Sequence, residues 1–525
     1  MLKKLSDLVV KDKDLPDRAH TIDVLERFRT GEIYDLLPHE FHEERDSNNS
    51  YIPMCDRSPS VRFGLLSIIV NDSTSLLFGD GHFPAVDTGS KTLTEDGGNP
   101  SNEAVMKIVK DSSLAHHMLD AAVKGSVGSV VIMMKVLKNR IFWDVMCTKY
   151  LTPVYKDDEP DTLETVTEKY KAKGRVFKEL GYDIDDKDLD RDFWFQRDIG
   201  EQEETWYLPW PVIYTEKDKE LNKYEPKIRD ERHSKTHNLG FNPCIWIENL
   251  PGVDGIDGAP TFPDMAICNS IEIDYLLSQS GRGLKYTADP TLLIKEPGFN
   301  DIGAHLVSDP NGGQPKAAIV NGAADALRIP SEGDAKMLEI NGSGFSVVLE
   351  QVNKLREMSL ELCGGSRASP EKLAAAQSGK AMEMMNQSLI WLASKLRQSY
   401  GEKALVDLVC MIAAVNQRVE LRTKNGDKIA MKTIEASAIS LKWPPWYAPT
   451  SGDHQAMATA VKTYRDAGVI SRKTGIRAVQ HDFNIENVDD EATEIEREEK
   501  DAADAAAKLK TPASGATPPG ARVAA

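Results

Sequence analysis

The 525-residue chain lacks both long hydrophobic runs and closely spaced cysteines. Its two most apolar runs, residues 129–137 and 404–415, contain or border charges and are far shorter than the ~20 residues of a membrane helix. None of the six cysteines forms a C-x-x-C pair, which disfavours a zinc site and a disulfide framework. The N-terminus has no signal-peptide pattern. We therefore expect no membrane association and reduced folding in the cytoplasm.

Positive charge is also scarce. The chain has 64 Lys and Arg against 82 Asp and Glu, a formal net charge of -18. This balance disfavours a protein that grips nucleic acid with most of its surface. The hydrophobic share of 41% and the charged share of 28% are ordinary for globular proteins and exclude wholesale disorder.

The sequence contains none of the common nucleotide or nucleophile motifs. G-x-x-x-x-G-K-[ST], G-x-G-x-x-G and G-x-S-x-G are all absent. His39 and His42 do not have the four-residue step that places two rings on one helix face for a metal, and the adjacent His116 and His117 point in divergent directions. We predict no catalytic residues, no metal and no cofactor, and therefore no enzyme.

The N-terminal half predicts helices, then a hairpin, then a charged lobe. Helices are expected over residues 21–37, 58–78 and 102–124, and a hairpin turning at Lys138-Asn139 follows. Residues 156–240 predict a solvated β-rich lobe with its aromatic residues on one buried face. These aromatics are Trp194, Phe195, Trp206, Trp210 and Tyr214. A platform for stacking nucleic-acid bases is the alternative, which the acidic neighbours disfavour.

The C-terminal half predicts two helices that flank a β-rich insertion. The first helix begins near Thr261 and ends at Gly281-Arg-Gly283; the second runs from residue 343 to 363. A kink at Gln377-Ser-Gly379 precedes a long helix to Tyr400, a further helix reaches Val415, and a strand lies near 439–443. Three small helices occupy 453–510, and residues 511–525 are expected to be disordered. The predicted fold class is α+β.

Four stretches carry a resemblance to a known family. They are Pro59-Ser-Val-Arg-Phe-Gly-Leu-Leu with Val70 to Gly79; Pro243 to Leu250 with Asp264 to Ser280; Gln377-Ser-Gly-Lys-Ala-Met; and Trp443-Pro-Pro-Trp with Ala467-Gly-Val-Ile-Ser and the acidic helix after it. Over residues 21–500 they resemble the portal proteins of tailed bacteriophages, which form the ring at the unique capsid vertex. The resemblance implies a portal-like fold of wing, two-helix stem, clip and crown.

The resemblance also implies a division of the chain. The parts are the N-terminal wing (1–260, including the lobe 156–240), stem helix 1 (261–283), clip (284–341), stem helix 2 (342–363), tunnel loop (364–379), the rest of the wing (380–450), crown (451–510) and tail (511–525).

Site residues follow from this division. In the tunnel loop, Arg367, Ser369 and Lys372 are expected to face DNA, although Arg367 and Lys372 could equally complement Glu361 and Glu371. Ser378 and Gly379 are expected to kink the helix after the loop. The clip residues expected to bind partners are Lys295, Asn311, Lys316 and Asn321.

The function implied is a conduit without catalysis. A homo-oligomer, in this family usually a 12-mer, would pass double-stranded DNA during packaging and ejection, and an acidic channel would let that DNA slide. Its expected partners are the terminase large subunit, the major capsid protein, a scaffold protein and the head–tail adaptor. It would be made in the host cytoplasm and reside in the virion. A terminase enzyme and an acidic helical scaffold protein remain the alternatives.

Overall fold

The protein has a mixed α and β architecture with several small open sheets, most of them antiparallel. The structure is a computed structural model. It describes residues 1–79, 81–89, 100–212, 228–252, 255–288, 293–295, 327–329, 342–365, 379–429, 434, 438–447, 450–479 and 488–509. The predicted α+β class is confirmed.

Helices dominate both ends of the described chain. They are α1 (Leu2–Ser6), α2 (Asp17–Thr30), α3 (Leu65–Phe78), α4 (Pro100–Asp111), α5 (Leu114–Gly125), α6 (Gly174–Glu179), α7 (Asp264–Ala288), α8 (Gly342–Leu362), α9 (Gly379–Met385), α10 (Gln387–Leu396), α11 (Val406–Arg418), α12 (Ser451–Asp466), α13 (Arg472–Val479) and α14 (Val488–Leu509). A π-helical segment, Arg397–Leu405, joins α10 to α11.

The strands form one central sheet, one lobe sheet and three small pairs. They are β1 (His39–Glu40), β2 (Arg57–Ser58), β3 (Ala85–Asp87), β4 (Ser129–Leu137), β5 (Arg140–Cys147), β6 (Leu151–Tyr155), β7 (Leu163–Lys173), β8 (Asp192–Ile199), β9 (Glu203–Trp206), β10 (Trp210–Pro211), β11 (Lys235–Thr236), β12 (Cys244–Glu248), β13 (Leu293–Lys295), β14 (Leu327–Ile329) and β15 (Ser440–Lys442).

The central sheet, in the order β12-β4-β5, is covered on both faces. Successive residues of a strand point to opposite faces of the sheet, so every second residue of β4 faces the same side. Val130, Ile132 and Met134 therefore pack into the cluster built with α5 and the long C-terminal helices. Val131 and Met133 pack against the neighbouring lobe sheet. This two-sided burial explains why β4 is a nearly continuous apolar run.

The predicted hairpin is confirmed as β4 and β5. Its two turn residues, Lys138 and Asn139, both have positive φ, 50° and 63°. Two-residue turns of this kind match the right-handed twist of the strands that they join. The turn thereby fixes a register that pairs Leu137 with Arg140 and Val130 with Cys147.

The charged region predicted over 156–240 is β-rich, as expected: β6, β7, β8 and β9 form an antiparallel sheet to which β10 and β11 add. Its aromatics do not share one face. Trp194 and Phe195 are adjacent in β8 and so point to opposite sides. Phe195 packs with Phe177 and Trp206, whereas Trp194 lies opposite Trp210. Tyr214 lies outside the described residues.

Several predicted helix limits are wrong. The helix expected over 102–124 is two helices, because Ser113 adopts a left-handed conformation with φ 53° between α4 and α5. Helix α7 does not end at Gly281-Arg-Gly283 but continues to Ala288. The helix accepts the propensity cost of two glycines, about 1 kcal/mol each, and Arg282 between them pairs with Glu44.

The long helix differs from its prediction in the same way. Gly401 was expected to separate two helices, yet it lies inside the π-helical segment and the helix continues to Arg418. A Cβ atom at Gly401 would lie 2.3 Å from Cζ2 of Trp443, so the glycine gives room for this ring. The described break falls at Asn386, between α9 and α10.

The C-terminal helices confirm the prediction for 453–510. Thr450 and Asp453 form a reciprocal capping box at the start of α12, and Gly468 with φ 70° follows its end. Arg472 on α13 makes a bidentate ion pair with Glu499 on α14. Residues 511–525, predicted to be disordered, lie outside the described residues.

Candidate functional site: the long helical pair

Helices α7 and α8 pack against each other as an antiparallel pair. Asn269, near the start of α7, donates from Nδ2 to Oγ of Ser359, near the end of α8, at 3.0 Å. Buried apolar residues of both helices, including Ile267, Ile271, Val352 and Leu360, share one cluster. With 25 residues, α7 is about 37 Å long. The far ends of the pair, Ala288 and Gly342, are joined through residues 289–341.

Neutral hydrogen-bond donors from the N-terminal region fix the middle of α7. The buried Asp274 carboxylate accepts from the Tyr34 hydroxyl at 2.9 Å and from the Phe63 backbone amide at 2.7 Å. One residue on, the Tyr275 hydroxyl donates to the Arg57 carbonyl at 2.8 Å. These bonds tie the helical pair to chain segments more than 200 residues away.

The electrostatics of this anchor make the Asp274 carboxyl easier to protonate than an exposed one. Burial raises the pKa of Asp274 to about 6, although its two hydrogen bonds act in the opposite direction. Arg62 lowers the pKa of Asp274 only slightly, because its guanidinium pairs with Asp35 at 2.6 Å. Burial, with Asp274 beside it, also raises the pKa of Tyr34. The carboxyl can therefore change its charge state in mildly acidic solution.

The outer face of α8 carries an apolar stripe beside an acidic one. Val347, Met358 and Leu362 are separated by eleven and four residues, which places them on one side of a helix. All three are exposed, Val347 by 64%. Glu350, Glu357 and Glu361, with spacings of seven and four, form the adjacent stripe. Lys354 pairs with Glu350 at 3.3 Å.

Large apolar side chains are also exposed on α7, α9 and α10. Met265 on α7 is 65% exposed. Met384 on α9 and Trp391 on α10 are 69% and 62% exposed. Singly exposed apolar residues are ordinary on protein surfaces, and large apolar side chains are also exposed elsewhere in the described chain, as at Ile228 and Val469.

The segment between α7 and α8 contains one described β pair. Strands β13 and β14 run parallel, with Leu293 opposite Leu327 and Lys295 opposite Ile329. A parallel pair requires a crossover connection, and residues 296–326 provide the length for it. The long helical pair is therefore followed at its far end by an insertion that contains β structure.

The predicted site residues are placed as follows. Lys295 is the last residue of β13, and Gly379 is the first residue of α9. The other seven lie outside the described residues. They are Arg367, Ser369, Lys372, Ser378, Asn311, Lys316 and Asn321.

The sequence reasoning missed an aromatic enclosure of Arg397. The guanidinium carbon lies 4.3 Å from the ring centre of Trp443 and 3.3 Å from that of Trp446. Its Nε and Nη2 atoms are buried without a hydrogen-bond partner, and burial lowers the pKa of Arg397 to about 10. The Trp-Pro-Pro-Trp sequence was the available signal for this site. Two tryptophans held apart by two prolines can both place their rings against one cation.

The histidines are engaged locally. Nδ1 of His39 lies 3.0 Å from a Glu43 carboxylate oxygen, and Nδ1 of His42 lies 3.3 Å from Glu40. Over the described ranges, no group of three or more His, Cys, Asp or Glu side chains is arranged to hold a metal ion. Nor does any described helix combine the length and apolar character needed to cross a membrane.

The sequence was compared with protein-family models and with curated proteins. No protein-family model matches the chain, and no curated protein matches it either.

Proposed function

We propose that this chain is a portal protein of a tailed bacteriophage. In this proposal it forms a ring of about a dozen subunits at one capsid vertex. The ring conducts double-stranded DNA during packaging and ejection and catalyses no reaction itself. It is made in the host cytoplasm and becomes part of the virion.

One observation carries the proposal: an antiparallel pair of long helices interrupted by an insertion containing β structure. In a portal subunit the corresponding parts are the stem and the clip. We assign α7 and α8 to the stem and residues 289–341 to the clip. The clip would dock the terminase large subunit during filling and the head–tail adaptor afterwards, and Lys295, Asn311, Lys316 and Asn321 are its proposed contacts.

The remaining assignments follow the chain order. Residues 364–379 are the proposed tunnel loop, with Arg367, Ser369 and Lys372 near DNA and the helix step at Ser378 and Gly379. Helices α12, α13 and α14 are the proposed crown. The regions before and after the stem form the wing, which would contact the major capsid protein and, during assembly, a scaffold protein.

The exposed apolar side chains support self-association, and the net negative charge supports a role as a conduit for DNA. A head-to-tail ring needs two different surfaces on each subunit, and its contacts must bury apolar area. The stripe of Val347, Met358 and Leu362 and the pair Met384 and Trp391 supply such surfaces. The net charge of -18 would oppose tight binding of phosphates and so allow DNA to slide.

The first experiment is the native mass of the purified chain by analytical ultracentrifugation, with negative-stain images of the same sample. The proposal expects a ring of about a dozen subunits with a central hole. A monomer that also fails to join added scaffold and capsid proteins would overturn it. ATP hydrolysis by the purified chain would favour a terminase instead.

A matched pair of variants connects the assembly to these surfaces. Met384→Ser with Trp391→Ser should shift the sedimentation from ring to monomer, because it removes the exposed apolar area. Leu180→Ser, which changes an exposed leucine in the charged lobe, should leave the ring intact. Equal effects of both changes would contradict the assignment of the helical surface.

A further inference from the structure

A wide groove lies between α4 and α5 on the side away from the central sheet. Its volume is about 800 Å³, and its floor is formed by Phe78, Phe83, Met106, Val109 and Leu119. The left-handed turn at Ser113 separates the two helices and leaves the groove between them. Its size falls within the range of protein ligand sites, roughly 300–1,000 Å³.

The floor is continuous with the main hydrophobic core. Phe78 and Val109 belong to the buried cluster, and Phe83 and Leu119 pack against it while remaining partly open. The ring centres of Phe78 and Phe83 are 5.9 Å apart. The apolar floor of the groove is therefore held in place by the core. Its exposed apolar surface can be removed from water by a bound partner without closure of the groove itself.

The rim of the groove is positive although the chain is strongly negative. Lys107 and Lys110 are exposed on the side of α4 that lines the groove, one helical turn apart. Nearby acids are engaged elsewhere: Asp111 accepts from the Lys424 amide at 2.9 Å, and Asp120 pairs with Lys124 at 2.9 Å. Glu103 is the one acid among the described lining residues; it lies one turn before Lys107, so the two lysines leave the lining with an excess of one positive charge.

The walls favour a helical occupant. Both are α-helices, whose backbone donors and acceptors are satisfied internally, so an extended peptide would gain no ladder of backbone hydrogen bonds from them. A helix satisfies its own backbone and presents apolar residues at three- and four-residue steps. Carboxylates one turn apart on such a helix match the spacing of Lys107 and Lys110.

We propose that this groove binds an amphipathic α-helix of a partner protein, with acidic residues beside its apolar stripe. The apolar stripe covers Phe83, Met106 and Leu119. The acidic residues face Lys107 and Lys110. The lining residues of this site belong to none of the surfaces proposed for ring formation, so its test does not depend on their function.

The test uses two fluorescent peptides of about 18 residues, which form five helical turns. Both have leucines at three- and four-residue steps; one has glutamate and the other lysine at all remaining positions. The anisotropy of each peptide is measured while the full-length protein is added at about 0.15 M salt, where screening over about 8 Å reduces attraction of the lysine peptide to the negative chain as a whole. The glutamate peptide should bind at least about tenfold more tightly than the lysine peptide, because opposite charges meet at the rim. Equal affinity, or no binding of the glutamate peptide, overturns the proposal.

Variants place the binding in the groove. Lys107→Glu with Lys110→Glu should reverse the preference, and Met106→Glu should weaken both peptides by introducing a charge into the floor. The control Lys187→Glu with Lys462→Glu changes two exposed lysines elsewhere by the same total charge and should preserve the preference. A preference that survives the groove variants overturns the proposal.

Two other occupants are tested with the same proteins. If Lys107→Glu with Lys110→Glu changes the sedimentation of the chain alone, the groove is occupied by a second copy. If phosphatidylglycerol vesicles bind the groove and the peptide does not, the occupant is a lipid surface. Either result overturns the proposal of a helical partner.

Discussion

Two buried charges, one in the charged lobe and one in the helical pair, are stabilised in opposite ways. Arg197 on β8 is 10% exposed in its side chain and lies between two carboxylates. Its Nη1 donates to Glu204 at 2.9 Å, and its Nε donates to Glu168. Asp274 on α7 has no such partner: its described hydrogen bonds come from the Tyr34 hydroxyl and the Phe63 amide.

The difference shows whether the stability of each region depends mainly on an ion pair or on pH. A buried ion with opposite charges around it is destabilised chiefly when one partner is removed. A buried acid held by neutral donors is destabilised when it ionises, because burial disfavours the charged form. The lobe should therefore respond to mutation of the ion pair, and the helical pair should respond to pH.

The largest effect is expected for Arg197→Met. This change leaves Glu168 and Glu204, whose side chains are 20% and 14% exposed, without their cation. Because both carboxylates keep some contact with water, we expect a loss of about 3 kcal/mol, the lower end for a broken buried pair. Urea unfolding followed by tryptophan fluorescence measures the loss, and Trp206, which lies beside Arg197, reports on the lobe. A loss below about 1 kcal/mol would show that the carboxylates become hydrated or protonated without cost.

The second prediction concerns pH. The unfolded chain should release the Asp274 proton near the ordinary value of 3.8, while the folded pKa is about 6. The folded state then holds the proton more tightly, so this stabilisation is complete below pH 4 and is lost as pH rises through 6. The span is about 3 kcal/mol, at about 1.36 kcal/mol for each unit of pKa difference.

Asp274→Asn should flatten the decline in unfolding free energy between pH 4 and 6. Asp264→Asn, an exposed change at the start of the same helix, is the matched control and should follow the wild-type profile. Parallel profiles for wild type and Asp274→Asn would contradict the raised pKa. Other carboxylates titrate in this range too, but they cancel in the comparison of variant with wild type.

A smaller effect is expected for Tyr34→Phe. Removing one donor to an ionised carboxylate costs about 2 kcal/mol at neutral pH. The loss should shrink below pH 4, where Asp274 is protonated. Chemical unfolding at pH 4 and pH 7.5 distinguishes this from a simple packing defect, which would be equal at both.

The smallest effect is expected for Arg175→Met in the lobe. Arg175 and Asp190 form an ion pair at 2.7 Å, but their side chains are 62% and 87% exposed. Solvent screening limits exposed pairs to about 0–1 kcal/mol. The same urea measurement as for Arg197→Met gives the contrast directly, and similar losses for the two variants would remove the distinction between them.

Local patterns predicted the elements better than their contacts. The Lys138-Asn139 turn and the apolar run of β4 identified the hairpin because both signals act over a few residues. The two long helices and the insertion between them were also visible in the sequence. The continuation of α7 through Gly281 and Gly283 was not; Arg282 in this stretch pairs with Glu44, a contact that no local pattern predicts.

The anchor at Asp274 could not be predicted in the same way. Tyr34 and Phe63 are separated from it by more than 200 residues, and no local pattern relates them. Arg397 and its two tryptophans show the same limit over a shorter distance. The proposed tunnel-loop residues remain predictions, because Arg367, Ser369 and Lys372 lie outside the described residues.

The antiparallel packing of α7 and α8 has a consequence for how this protein can diverge. The pair brings Ala288 and Gly342 to one end, so the segment between them leaves and re-enters at a single place. For a flexible connection, doubling its length adds only about 0.6 kcal/mol of closure entropy. The segment can therefore be exchanged or lengthened as a module, and the chain could acquire new docking partners while the rest of its fold stays unchanged.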